Sequence, residues 1–142
     1  MKEWIHRYKT NRVWNINANI VLADLLSTAI TAVVMDAAHG RFSTRLGLVS
    51  GTSLLDGVIS LLVFASLHRY TNATRGFSDL FRVQVHRWVL SPMHYVIGAS
   101  LQWALLAIGL RVGFSVLLAY MTSVALLRTM HTLYGRRTGL FQ

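Results

Sequence analysis

The sequence predicts an all-α integral membrane protein: four transmembrane helices paired as two hairpins, with one or two amphipathic interfacial helices on the cytoplasmic side. Hydrophobic residues make up 54% of the chain and charged residues only 13%, where a soluble domain carries about 25% charge. Four long stretches are almost free of charge, and Lys and Arg gather at alternate breaks between them. The 142 residues amount to a single membrane domain, 1–142.

A bilayer-crossing helix needs roughly 20 mostly apolar residues, each adding about 1.5 Å against a hydrocarbon core of about 30 Å. Residues 1–12 are polar and basic, with Met1, Trp4, Ile5 and Tyr8 on one helical face, the pattern of a helix lying in the headgroup region. They lack a signal-peptide cleavage pattern. The first span is expected at about 16–35, apolar except for Asp24 and flanking Asn residues. The second, 46–67, is interrupted only by Asp56. In 77–90, Phe77, Leu80, Phe81 and Trp88 recur at helical spacing between Arg82 and Arg87, a second interfacial candidate. Ser91-Pro92 would then mark the bend into the third span. That span, 88–110, contains no Asp, Glu, Lys or Arg, and the fourth, 112–133, is broken late by Arg128 and His131. Gly109-Leu110-Arg111-Val112-Gly113 leaves room only for a tight turn, so the last two spans form a hairpin. In lipid the backbone must satisfy its own hydrogen bonds, and runs this long without two-residue alternation exclude a barrel.

Orientation follows from the cations. Four spans put the N-terminal segment, the middle loop and the C-terminus on one side, which receives eleven of the fourteen Lys and Arg residues; Arg41, Arg45 and Arg111 fall opposite. Both termini are therefore expected in the cytoplasm, in a membrane of the bacterial inner type. A net charge of +9 would also suit a nucleic-acid binder, but such proteins hold their charge in a contiguous patch, so no nucleic acid is expected. With no Cys, disulfides and thiolate chemistry are excluded. An apolar-His-Arg-aromatic tetrad recurs as Ile5-His6-Arg7-Tyr8, Leu67-His68-Arg69-Tyr70 and Val85-His86-Arg87-Trp88, a spacing that any cytoplasmic interface also selects.

Ionisable residues inside the spans point to function or to helix contact, because an Asp at the bilayer centre costs about 2.5–3.5 kcal/mol. Asp24, Asp56 and His94 are the candidates, with Thr28 and Gln102 on the same polar stripes. Depth counting pairs Asp24 with His94. The stripes Asn17–Asp24–Thr28–Thr31, Ser53–Asp56–Gly57–Ser60, Ser91–Tyr95–Gly98–Gln102 and Ser115–Ala119–Thr122 would face the bundle interior, and Gly47 with Gly51 forms a small-xxx-small pair. These residues act either as interhelical glue, as a proton or cation relay with a headgroup pocket, or as contacts to a partner subunit. Arg69, Arg87, Arg128, Arg136 and Arg137 would contact a phosphate or anionic lipid headgroup. His94 and His131 are the only pair suited to bis-His haem b, or to a quinone site. No catalytic constellation or metal motif stands out.

In length, span count and a basic-aromatic tail (Tyr134-Gly135-Arg136-Arg137, then Phe141), the chain resembles in layout small four-helix proteins that move polyprenyl-phosphate sugars; the likeness rests on no motif. It implies a transporter or flippase-like protein handling an anionic lipid-linked or amphiphilic substrate. The alternatives are a non-catalytic accessory or anchoring subunit of a larger membrane complex, and a redox anchor. Four short helices enclose little volume, so a homo-oligomer or a complex is expected in the first two cases.

Overall fold

The computed structural model describes residues 8, 10–72 and 76–139, and these are helical almost throughout. Four long helices follow in order: α1 (Arg12–Ala38), α2 (Arg45–Thr71), α3 (Gly76–Ala107) and α4 (Val112–Arg137), with a short helical turn at His39–Arg41. The expected interfacial segment 1–12 and the first tetrad lie largely outside the described residues. Each helix packs against its chain neighbours and α4 returns to α1, closing a ring in which the α2–α3 seam is the least extensive.

Local chemistry sets the helix ends. Asn11 caps α1 by accepting from the Trp14 amide, and Thr44 caps α2 by accepting from the Gly47 amide, filling donors the helix cannot satisfy itself. The α3–α4 turn hinges on Gly109, whose φ of 87° is the left-handed conformation that glycine tolerates best. Around it the Leu110 amide bonds the Leu105 carbonyl at 3.1 Å and the Gly109 amide bonds the Leu106 carbonyl at 3.2 Å, the paired closure of a Schellman motif. No side chain of its own caps α4. Asp36, reaching across from α1, accepts from the Gly113 amide at 3.0 Å and from Arg111 at 2.8 Å, favourable at the positive end of a helix dipole.

Three segments, Arg12–Arg41, Arg45–Thr71 and Val112–Arg137, are long and apolar enough to cross a membrane. Expectation and structure differ at α3. Residues 88–110 carry no charge, yet Ser91, Pro92, His94 and Gln102 dilute their hydropathy, so this helix does not join those three. Nor are 77–90 a separate interfacial element: they are the first half of a single 32-residue helix that runs through Pro92. Beside Pro92 the Ser91 hydroxyl donates to the Arg87 carbonyl at 2.8 Å, while the carbonyl that the proline's missing N–H frees is that of Trp88. Leu80, expected in the headgroup layer, is buried instead.

The core divides into two apolar clusters. Ile16, Ile20, Ala23, Phe64, Leu80 and Val83 fill the basic end. Ala32, Met35, Leu48, Val112, Val116, Ala119 and Tyr120 fill the opposite end. Between them the interior is polar. The exterior is the apolar part, with Val33, Leu54, Val58, Leu62, Val96 and Leu118 among many exposed large side chains. A water-soluble monomer rarely shows so much contiguous apolar surface, and lipid tails solvate it readily.

Candidate functional site

The polar interior is assembled from all four helices. Nearest the basic end, Asn15 and Asn19 of α1 interlock with Thr71 and Asn72 at the end of α2: the Asn19 amide donates to Thr71 Oγ1 at 2.9 Å and the Asn72 amide to Asn15 Oδ1 at 2.6 Å. Beside them Asp79 of α3 accepts from Arg12 and lies 3.0 Å from His68 Nε2. Burial opposes ionisation of Asp79, but the hydrogen bonds from Arg12 and His68 outweigh it and hold the carboxyl below its ordinary range. His86, on the same half of α3, is lowered by burial and then by the Arg82 charge.

Deeper, Asp24 accepts from Ser60 Oγ at 2.8 Å and from Arg87 at 3.1 Å, while Arg87 also donates to Ser60 at 2.7 Å and to Gln84 at 3.2 Å. The Arg87 guanidinium lies 4.5 Å from the Phe64 ring centre, a cation–π contact strengthened by desolvation. The expected Asp24–His94 pair is therefore not formed. Arg87 takes Asp24 because the continuous α3 carries it into the bundle, and His94, two turns on, meets Asp56.

Asp56 is almost fully buried and accepts from Ser27 at 3.0 Å and Thr28 at 3.1 Å. His94 Nε2 faces its other oxygen at 3.9 Å, beyond hydrogen-bond reach but within ion-pair range. On the far side of the ring, Ser123 Oγ lies 2.8 Å from His94 Nδ1 and donates to the His94 carbonyl at 2.9 Å. The hydroxyl has one proton, and the carbonyl can only accept. His94 Nδ1 then donates toward Ser123, and Nε2 is the ring nitrogen turned to Asp56. Beneath it, Tyr120 meets Ser53 at 2.6 Å and the Gln102 amide donates to Thr52 at 3.1 Å.

Arg128 stands apart. Its Nη2 donates to Asn17 at 2.7 Å and to His131 Nδ1 at 2.8 Å. Among the described residues it has no carboxylate within ion-pair distance, and its Nε and His131 Nε2 are buried without a hydrogen-bond partner. Both residues line a cavity of about 60 Å³ together with Asp24, Arg87, Ser91, His94 and Tyr95. A groove of about 520 Å³ with a mainly apolar wall runs along the α2–α3 seam and shares Arg87, Ser91 and Tyr95 with that cavity.

The sequence expectations sort accordingly. Asp24, Asp56, His94, Thr28 and Gln102 all face the interior. The five headgroup arginines divide: Arg69, Arg136 and Arg137 are exposed near the basic end, whereas Arg87 and Arg128 turn inward. Thr122 is exposed and Ser123 takes its interior place. The Phe42 ring from the α1–α2 loop lies over Gly47 and Gly51, and Met35 of α1 also reaches Gly51. The two tetrads within the described residues are not equivalent, since His68 is buried beside an exposed Arg69 while Arg87 points inward in the other. His94 and His131 border the same cavity of about 60 Å³, and one ring nitrogen of each meets Ser123 or Arg128. Arg12, Asp79, Asn15 and Asn72 escaped notice because they lie just outside the apolar runs, where polar residues are ordinary.

Compared with known protein families, with curated proteins and with solved structures, the chain matches none.

Proposed function

We propose that this is a flippase-like membrane transport protein that moves an anionic amphiphile, crossing the bilayer four times with both termini cytoplasmic. One observation carries the reading: the centre of the bundle is a column of charged and hydroxyl side chains, Asp56–His94 above Asp24–Arg87–Ser60, bordered by a polar cavity and an apolar groove that share Arg87. Buried ion pairs add little net stability over apolar packing, so stability alone does not account for this column. A groove for acyl chains beside a cavity for a charged head is the layout that an amphiphile requires. Connectivity supports the fourth crossing, because α3 joins the basic end of α2 to the opposite end of α4. The cation asymmetry supports a cytoplasmic basic end, as in a bacterial inner membrane. The small cavity favours self-association or a partner in the transporting form.

The test is reconstitution into phosphatidylcholine vesicles containing a fluorescent phosphatidylglycerol, with leaflet exchange followed by dithionite quenching. Wild type is expected to expose inner-leaflet label. Asp24→Asn and Asp56→Asn, with unchanged helicity, are expected to slow exchange about tenfold or more. Wild-type rates in both variants would remove the proposal. The accessory-subunit reading has its own support in the complete engagement of Asp24 by Arg87 and Ser60; a stoichiometric large partner on mild purification, with no lipid exchange, would establish it instead.

A further inference from the structure

We infer that Arg128 and His131 form the recognition end of a site for a singly charged oxyanion of the phosphate class, set among α1, α3 and α4. The inference rests on the transport reading for its biological use but on separate observations for its existence. Arg128 is always protonated in ordinary conditions, so His131 Nδ1, 2.8 Å away, must accept from it. A neutral His131 therefore carries its proton on Nε2. That Nε2–H and the Arg128 Nε–H are both buried and unpartnered, a state that costs free energy and is rare in folded proteins. His131 is only 7% exposed.

The charges around the cavity agree. Asp24 and Arg87 neutralise each other at 3.1 Å, which leaves the Arg128 guanidinium as the permanent charge on the lining without a carboxylate partner. Long cations in membranes usually reach out to the interface. Arg128 reaches one turn toward the basic end but stays inside the bundle, its Nη2 bonded to Asn17 and its Nε buried. An oxyanion with a single negative charge would neutralise it and accept from both idle N–H groups. A tetrahedral phosphate ester offers several acceptor oxygens in different directions, and arginine suits such groups; a spherical halide offers one centre. The volume is consistent, since a water needs at least ~10–15 Å³ of such space and about 60 Å³ is present. The source is either a lipid headgroup or free phosphate, because the chemistry is the same.

The full chain, purified in an uncharged maltoside, is titrated at constant ionic strength with dihexanoylphosphatidylglycerol, with inorganic phosphate and with sodium chloride, and thermal stability is read. Saturable stabilisation by the phospholipid identifies a headgroup site, and saturable stabilisation by inorganic phosphate alone identifies a free-anion site; either supports the inference. Arg128→Gln is expected to weaken the response at least tenfold. Should that variant not fold, Arg128→Lys, which retains charge but lacks Nε, and His131→Phe are expected to weaken it several-fold. Arg41→Gln, exposed at the opposite end, leaves it unchanged. No saturable response to either phosphate probe, an equal response to chloride, or wild-type binding in the folded Arg128 and His131 variants would overturn the site. Binding without leaflet exchange would overturn the transport reading and leave the site standing.

Discussion

Asp56 anchors the interior through acceptor geometry before charge matters. Ser27 and Thr28 both donate to one of its oxygens, and an Asn at this position retains such an acceptor, whereas Ala strands the Thr28 hydroxyl and leaves Ser27 only the Asp24 carbonyl. We expect Asp56→Ala to destabilise by about 1–3 kcal/mol, the cost of unsatisfied buried groups, and Asp56→Asn by clearly less; thermal denaturation in detergent gives the order. Asp79 supplies a pH dependence. Its folded pKa is below the unfolded value of 3.8, so its stabilising contribution is complete above that value and disappears as the pH falls through it toward the lower folded one. Asp79→Asn should therefore lower the melting temperature at neutral pH, with the gap to wild type closing below about pH 4. The interior ionisable residues were legible because a carboxylate or imidazole in an apolar run has to be accommodated. Their pairing was not. Depth counting started α3 at the first uncharged stretch, and Arg87, twelve residues into the actual helix that begins at Gly76, was assigned to the surface.

Helices show the same division. Their number, order and tight final turn follow from apolar length and Gly109, but counting charges alone cut a continuous helix in two. What the sequence does not encode locally is which neighbour a small residue admits. Gly98 receives the Tyr120 ring, and a Cβ there would meet it at 3.2 Å; at Gly57 a Cβ would meet only the Tyr95 hydroxyl, at 2.9 Å. Tyr120 is fully buried and held by Ser53, whereas the far end of Tyr95 has freedom to move. Gly98→Ala is thus expected to destabilise by about 1–3 kcal/mol through overpacking. Gly57→Ala should come out near neutral, helped by the ~1 kcal/mol helix preference of Ala. Parallel melting curves decide between them. Pro92→Ala restores an amide to the middle of α3 and should raise thermal stability; an unchanged or lower midpoint would mean that the interruption is itself required.

Across the whole molecule, the ion pairs have a direction. Every ion pair among the described residues joins the first hairpin to the second: Arg12 and His68 to Asp79, Asp24 to Arg87, Asp56 to His94, and Asp36 to Arg111. The Arg45–Trp103 stacking contact and the Arg128–Asn17 bond cross the same boundary. Since the chain has no Cys, single cysteines report topology without background. One placed at Gly40 is expected to react with an impermeant maleimide in intact cells, and one at Ser78 only after permeabilisation; the reverse pattern would invert the orientation.

The ledger of these cross-links also predicts how the molecule comes apart. Within each hairpin the helices meet through small and apolar side chains and through hydrogen bonds from neutral donors, such as Ser60–Asp24, Thr28–Asp56 and Asn19–Thr71, while the pairing of opposite charges is reserved for the meeting of the two halves. Severed between Asn72 and Gly76, the protein should persist as two fragments that find each other as a lock finds its key. Only matched fragments would mate, and reversing one such couple, Asp24→Arg with Arg87→Asp, should produce halves that accept each other and refuse the originals.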